Sequence, residues 1–308
     1  MSILALTCGL ALAVAAPQQD EAASWSLLVE STPRSVRIDP TGERAEVDVP
    51  ALILVSPNGR RRVEITDLNP GVTEEREIRV VPIDGAPPIV LARDAVRRYD
   101  MQWMPDSRQL VSVRDTRHEQ RVCLVDVDAA PPTEQTISDD ARSWMPRVSK
   151  DGRVAFVTMR ERKGKQEFSD LVIWRDGVRE TIATGLHITD VAWSPDGTKL
   201  AYSTVGELVV RDMTTGTSET RTFLSLDERL YAHLGTQIAW RPDGQAIAMS
   251  ITFAGGRMIM PGEPDDGIFG DREVFVVPAS GPGVTVHQDL PSRRSGLRWI
   301  ISPSARQW

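Results

Sequence analysis

A short turn phrase recurs along nearly the whole chain, and this repetition constrains the fold more than any other feature. The clearest copy is VAWSPDGTKLAYST, in which Trp-Ser-Pro-Asp-Gly spans Trp193 to Gly197. Further copies begin at Ile53, Met101, Pro146, Ile238 and, in partial form, Trp299. Self-similarity at a fixed period indicates a repeat architecture, in which one supersecondary unit is used several times.

The second residue of each turn sets the period of the repeat. The steps are 48, 45, 45, 47 and 61 residues, counted between Asn58, Asp106, Asp151, Asp196, Asp243 and Ser304. In each copy an apolar run leads into the turn, whose residues supply the restricted φ and the left-handed conformation that a tight turn needs. A second apolar run follows, so each phrase predicts a β-hairpin.

A second pair of short apolar runs follows each hairpin, which makes four strands per period, the size of a propeller blade. We find no helical stripe in any repeat and predict an all-β, six-bladed β-propeller of four-stranded antiparallel blades, with seven blades as the alternative. An open edge would expose unpaired backbone groups, so we expect N-terminal strands to close the ring beside GLRWIIS. The predicted repeats lie near 51–93, 99–137, 143–184, 187–223, 233–290 and 295–308, the last completed by 24–49.

The repeated W-x-P-D-G turn resembles the TolB-like propeller family over roughly residues 50 to 305. The resemblance covers the propeller part alone, because TolB has a separate α/β domain before its propeller and few residues precede the first repeat here. It implies an exported propeller that works through protein contacts in the periplasm. The motif is specific for the fold and says little about function, since such propellers serve many roles.

The N-terminal segment differs in composition from the repeats. Residues 3–16 form an uncharged run of 14 residues, too short to span a bilayer, and small residues at 13, 15 and 16 suit signal cleavage. We predict a signal peptide at 1–15 and a single propeller domain at 16–308, and therefore a periplasmic or secreted protein. A disordered or buried N-terminus is the alternative, because no Lys or Arg precedes the run.

Composition excludes some functions. Without the first 15 residues, Cys123 is the one remaining cysteine, so no intramolecular disulfide is expected, and its place in RVCLVDV favours a buried thiol in a third strand. The net charge is −7 and no basic stripe with aromatic residues is present, which argues against a nucleic-acid partner. We expect a monomer without a cofactor or a transmembrane span.

The repeated turn residues favour packing over chemistry. Trp103, Trp193 and Trp240 stand two residues before the turn proline, where other copies have Val55, Val148 and Ile301. Exchange of an indole for an aliphatic side chain indicates core between blades. Each turn Asp is expected to cap its own turn by bonding nearby backbone.

Binding residues are expected on the opposite face. Alternating strand directions place the tight turns on one side, the turn face, and the irregular loops on the other, the loop face, where a rigid scaffold usually presents its contacts. The candidates on the loop face are His118, His187, His233, Asp100, Asp190 and Tyr231, together with Tyr99 and others. The alternative is that these are ordinary solvated loop residues.

The 61-residue step contains an insertion at about 254–271, AGGRMIMPGEPDDGIFGD, between the second and third strands of its blade. Met258, Met260 and Phe269 suggest an adaptable contact loop, because methionine packs against varied surfaces. Asp265, Asp266 and Asp271 are weak calcium candidates, since their spacing does not match an EF-hand loop. A plain surface loop is the alternative.

Two functions remain open from the sequence. The first is a binding platform for an envelope protein or peptide, acting through the loop face. The second is a propeller enzyme, lactonase-like or lyase-like, with a polar or metal site at the channel mouth assembled from His118, His187, His233, Asp100 and Asp190. Linear signatures of catalysis are absent: the chain has no G-x-S-x-G elbow, no H-E-x-x-H and no phosphate loop.

Overall fold

We describe the fold from a computed structural model. The described residues are 25–29, 35–39, 41, 43–47, 54–67, 76–94, 97–116, 119–139, 142–160, 168–204, 207–223, 237–252, 272–280, 283–290 and 297–301. Within them the chain forms strands, turns and connecting segments, and no helix long and apolar enough to cross a membrane is found there.

The described strands number 24. The first twelve are β1 (Trp25–Val29), β2 (Ser35–Ile38), β3 (Arg44–Val47), β4 (Leu54–Val55), β5 (Arg61–Asp67), β6 (Arg76–Pro82), β7 (Ile89–Asp94), β8 (Arg97–Trp103), β9 (Gln109–Asp115), β10 (Gln120–Asp126), β11 (Thr133–Thr136) and β12 (Ser143–Val148). The others are β13 (Val154–Arg160), β14 (Phe168–Arg175), β15 (Val178–Leu186), β16 (Asp190–Trp193), β17 (Lys199–Thr204), β18 (Glu207–Asp212), β19 (Ser218–Thr222), β20 (Gln237–Trp240), β21 (Ala246–Thr252), β22 (Arg272–Pro278), β23 (Thr285–Leu290) and β24 (Leu297–Ile301).

These strands form six four-stranded antiparallel sheets, which confirms the predicted six-bladed propeller. Blades 1 to 5 are β4–β7, β8–β11, β12–β15, β16–β19 and β20–β23. The sixth has the order β24-β1-β2-β3 and so combines strands from both ends of the described chain. Its register places Trp25 opposite Ile301 and Val29 opposite Leu297, as expected for N-terminal strands that complete the blade of GLRWIIS.

The first strand of each blade is the innermost one. Contacts between neighbouring blades run through these strands, from β4 to β8, β12, β16, β20 and β24 in turn. The apolar core lies between blades: one cluster joins blades 4 and 5 around Ile247 and Met249, and similar clusters join the three preceding pairs. Burial of such side chains is the main favourable term that holds one blade against the next.

The repeat tryptophans perform the predicted packing role. Trp103, Trp193 and Trp240 are each less than a tenth exposed. Each also donates its indole N–H to a backbone carbonyl in the inner strand of the preceding blade, at 3.3, 2.9 and 3.0 Å respectively. The acceptors are Leu54, Arg147 and Ala192. Each indole therefore fills the space between two blades, and its hydrogen bond also fixes the distance between them.

The turn aspartates cap their own turns, as predicted. Oδ1 of Asp196 accepts hydrogen bonds from the hydroxyl of Ser194 at 2.6 Å and the backbone N–H of Thr198 at 3.0 Å. Asp243 accepts from the backbone N–H of Gln245 at 2.9 Å. Gly197 has a φ of 77°, the left-handed conformation that the turn requires. These turns lie together on the turn face.

Cys123 lies in β10, the third strand of blade 2, and is fully buried. Burial, followed by the charge of Glu134, raises the pKa of its thiol above the ordinary value. A buried thiol that holds its proton is a poor nucleophile, so Cys123 acts as a small apolar side chain.

Candidate functional site

A pocket of about 550 Å³ opens between blades 2 and 3. Its lining comes from five strands and from the connections beside them: β8, β9 and β10 in blade 2, and β12 and β13 in blade 3. The lining residues are Tyr99, Asp100, Asp115, Thr116, Glu119, Gln120, Arg142, Trp144, Met145 and Met159. The volume falls in the range of small-ligand pockets, or of the space needed by one or two side chains of a partner.

Two matching irregularities shape this pocket. In β8 the register against β9 shifts between Tyr99 and Gln102, and in β12 the register against β13 shifts between Trp144 and Arg147. Tyr99 and Trp144 stand at the same place in successive repeats. The two inner strands therefore carry the same β-bulge, a feature that re-aims side chains and is enriched beside functional sites.

Each bulge contains a residue with positive φ that is not glycine. Asp100 has a φ of 49° and Met145 a φ of 54°. Aspartate tolerates this conformation better than most residues, whereas methionine in it is strained. Met145 also packs, with Trp144, against the core between blades 3 and 4, and this packing holds the conformation in place.

Some of the charged side chains that line the pocket have an ionic partner among the described residues and others do not. Glu119 pairs with Arg121 at 3.1 Å and lies 3.6 Å from Arg114. The side-chain carboxylates of Asp100 and Asp115 have no hydrogen bond or ion pair with another residue among those the structure describes. Arg142 is the one cationic side chain in the described lining, and its guanidinium also contacts the sulfur of Met159 at 3.9 Å. The pocket wall thus has an excess of negative charge.

Tyr99 responds to this environment. Burial, and then the carboxylates of Asp115 and Asp100, raise the pKa of its phenol to about 12. The phenol therefore stays protonated at all physiological pH values and can donate a hydrogen bond into the pocket. It is not suited to act as a catalytic base there.

Asp190 occupies the same repeat position as Asp100 but has a different environment. Its side chain is buried; Oδ1 lies 2.9 Å from Nη2 of Arg147, and Oδ2 accepts the backbone N–H of Ile238 at 2.9 Å. Oδ1 also accepts the backbone N–H of Val191 at 2.8 Å. Burial raises the pKa of Asp190, although Arg147 and the two N–H groups act in the opposite direction. Its carboxylate ties together the inner strands of blades 3, 4 and 5.

The other predicted site residues are distributed as follows. His187 is exposed in the connection between β15 and β16, on the loop face but outside the pocket lining. Asp100 and Tyr99 are predicted loop-face candidates that line the pocket. The rest lie outside the described residues: His118, His233, Tyr231, Met258, Met260, Phe269, Asp265, Asp266 and Asp271. The proposed contact loop at 254–271 and the weak calcium site therefore stay predictions.

Sequence reasoning missed Asp115, Glu119 and Trp144. Their place in the pocket depends on the two bulges, and a weak signal for one bulge was present. Pro146 lies within β12, where a proline is tolerated at a bulge or an edge and disrupts a regular ladder. A proline inside an inner strand could have directed attention to blade 3.

The pocket lining offers groups that can contact a polar ligand. Among the described residues, no group of three or more His, Cys, Asp or Glu side chains could hold a metal ion. The pocket combines carboxylates, a phenol donor and an indole on a rigid scaffold. These groups can hold a polar or charged ligand in a fixed orientation.

Comparisons with known proteins identify the fold. No family model matches the chain, and no curated protein matches it either. Among solved structures, TolB from Acinetobacter baumannii matches with a TM-score of 0.53 and 14% identity over 90% of this chain. A TolB candidate from Agrobacterium tumefaciens gives the same TM-score and identity, again over 90% of this chain, and is itself covered over 98% of its length.

The chain spans 66% of the length of the Acinetobacter protein. At 14% identity these matches are similarities of fold, and they agree with the six antiparallel sheets described above. The described part of the chain is a six-bladed β-propeller, and its fold is similar to that of these TolB structures.

Proposed function

We propose that this propeller is an exported binding protein that holds a segment of a protein or peptide on its loop face. The pocket between blades 2 and 3 is the part of that face that carries the proposal. It is large enough for side chains of a partner, it has two carboxylates without partners among the described residues, and its shape depends on two bulges. Rigid blades that present loops of this kind are typical binding scaffolds.

The same proposal includes the cellular location of the protein and its oligomeric state. The predicted signal peptide at 1–15 and the resemblance to TolB support a periplasmic or secreted protein that acts in the cell envelope. We propose a monomer, because a partner of different sequence would then have free access to the loop face. The enzyme alternative becomes an outcome of the test below.

The test is a selection of peptides by the folded protein. A random-peptide phage library is panned against immobilised wild type and against the double variant Asp100→Asn/Asp115→Asn, which removes two charges from the pocket and keeps the shape of both side chains. The matched control is Asp84→Asn/Asp176→Asn, which removes two charges from exposed turns after β6 and β14. These turns lie on the turn face.

We expect wild type and control to select a common peptide family that the pocket variant does not retain. Equal retention by all three proteins would remove the pocket from the binding site. Failure of every protein to select a peptide, with native fluorescence and melting confirmed, would contradict the platform function. The enzyme alternative would then be tested by a small-molecule panel, in which a ligand of the native state raises Tm.

A further inference from the structure

We infer that the pocket between blades 2 and 3 receives a positively charged side chain, lysine or arginine, from the bound polypeptide. This inference rests on the proposed function and adds the chemistry of the group that the partner inserts. It depends on two properties of the cavity: its unpaired carboxylates and its aromatic lining. Arg142, which also lines the cavity, provides a test.

The carboxylates of Asp100 and Asp115 approach the cavity from two elements. Asp100 lies in the bulge of β8, and Asp115 ends β9, the strand that pairs with it. Neither has a partner among the described residues, whereas Glu119 is already paired with Arg121. A cation placed between the two aspartates would gain attraction from both while displacing little existing pairing.

The aromatic lining suits the same ligand. Tyr99 and Trp144 occupy equivalent repeat positions immediately before the two bulges, so blades 2 and 3 each place one aromatic residue at the pocket. A cation within about 6 Å of an aromatic face is attracted by the ring electrons, and Trp and Tyr are the strongest partners. The apolar stem of lysine or arginine also packs well against such surfaces. Met145 and Met159 add apolar lining for that stem.

The environment of Tyr99 agrees with a negative local potential. Burial, and then the carboxylates of Asp115 and Asp100, raise the pKa of its phenol to about 12. The oxygen of this neutral phenol has lone pairs that can accept a hydrogen bond from an ammonium or guanidinium group. An anionic ligand would instead face both aspartates at short range.

Arg142 allows a test with a predicted increase in binding. It is exposed and is the pocket's own cation among the described residues. A cationic ligand is repelled by Arg142 and an anionic ligand is attracted by it. Removing this charge must therefore change the two affinities in opposite directions.

The probe is a capped pentapeptide, acetyl-Gly-Gly-Lys-Gly-Gly-amide, with an arginine version beside it. Controls replace lysine with norleucine, which has a similar stem without charge, or with glutamate. Ligand-observed NMR titration at low salt gives Kd for full-length mature wild type and for the variants. We expect the lysine and arginine peptides to bind about tenfold more tightly than the norleucine peptide, and the glutamate peptide to bind least.

The variants then assign the effect to the pocket. Asp100→Asn/Asp115→Asn should weaken the cationic peptides about tenfold and flatten their salt dependence, while Asp84→Asn/Asp176→Asn leaves both unchanged. Arg142→Gln should strengthen them about threefold. Native melting of each variant shows that the changes concern binding and not folding.

The outcomes separate this inference from the proposed function. Equal affinity for lysine and norleucine peptides, or no binding of the cationic peptides up to about 10 mM, overturns the cationic ligand. If the phage selection still finds pocket-dependent peptides of neutral or acidic sequence, the binding function stands and the ligand chemistry is wrong. If neither experiment finds a pocket-dependent peptide, both proposals fail.

Discussion

The junction between blades 2 and 3 and the junction between blades 4 and 5 use one repeat position in opposite ways. This position lies three residues before the repeat position of Trp103, Val148, Trp193 and Trp240. In successive blades it is occupied by Asp100, Met145, Asp190 and Gln237. In blades 2 and 3 this position is bulged, with positive φ, and opens onto a pocket. In blade 4 the strand is regular, and Asp190 is buried and bonded to both neighbouring blades.

The difference shows how a repeat protein obtains a site without changing its architecture. Where the inner strand stays regular, an aspartate at this position fastens blades together. Where the strand accommodates one extra residue, the aspartate at the equivalent sequence position lines a cavity, and its carboxylate has no described partner. A local change in strand register thus moves one side chain from a structural role to one available for binding.

The largest expected effect comes from making the same substitution at both positions. Asp190→Asn removes an acceptor, because an amide has one oxygen where Asp190 uses two, and we expect the free energy of unfolding to fall by about 2–3 kcal/mol. Asp100→Asn should change it by less than about 0.5 kcal/mol, since Asn also tolerates positive φ. Urea unfolding followed by tryptophan fluorescence measures both, and equal losses would contradict the comparison.

A smaller effect is expected from the indole bonds. Trp193→Phe removes an N–H bond of 2.9 Å to Arg147 and changes the ring over which the Arg153 guanidinium sits at 4.6 Å. We expect a loss of about 1–2 kcal/mol. Trp103→Phe removes a longer bond, 3.3 Å, to Leu54 and should lose about 0.5–1 kcal/mol. Thermal unfolding ranks the two, and a larger loss at Trp103 would reverse our ranking of the junctions.

The smallest effect concerns the turns, where blades 4 and 5 are alike. Hydrogen bonds from Ser194 and the Thr198 backbone lower the pKa of Asp196. At Asp243, burial alone would raise the pKa, but the hydrogen bonds from Arg241 and the Gln245 backbone outweigh it, so the pKa is also lowered. A lowered native pKa gives stability that is present above the ordinary value of 3.8 and is lost as the pH falls through the native value.

The double variant Asp196→Asn/Asp243→Asn keeps the Oδ1 acceptor of each turn but cannot titrate. We expect it to be slightly less stable than wild type at pH 7, with the difference shrinking as the pH falls below about 4. Urea midpoints measured from pH 7 to pH 2.5 test this. A difference that stays constant across the range would show that the turn carboxylates do not contribute through their charge.

The fold was largely predictable from the sequence, for a physical reason. The Pro-Asp-Gly turn is a local structure, so residues such as Asp196 and Gly197 determine the hairpin and, by repetition, the blade count. The pairing of the N-terminal strands with GLRWIIS followed from the need to satisfy an open edge. The blade count and this strand pairing both depend on short sequence segments that can be recognised one at a time.

The pocket was less predictable, because it depends on register between strands. The loop face was favoured by topology, and Asp100 was named among its residues. Nothing in the composition around Trp144 or Asp115 distinguishes a pocket lining from an ordinary strand end. The bulge at Met145 arises from how β12 pairs with β13, and only Pro146 gives a local indication of it.

The pairing of Trp25 with Ile301 has a consequence for the timing of folding. Blades 1 to 5 consist of neighbouring segments and can form in order as the chain emerges, but the sixth needs a strand made near the start and one made near the end. Contacts of such long sequence separation form slowly. Until residue 301 arrives, β1 has an open edge that invites pairing with other chains. Synthesis of this protein therefore includes an interval in which one edge of β1 lacks its partner strand, and that interval ends when β24 is made.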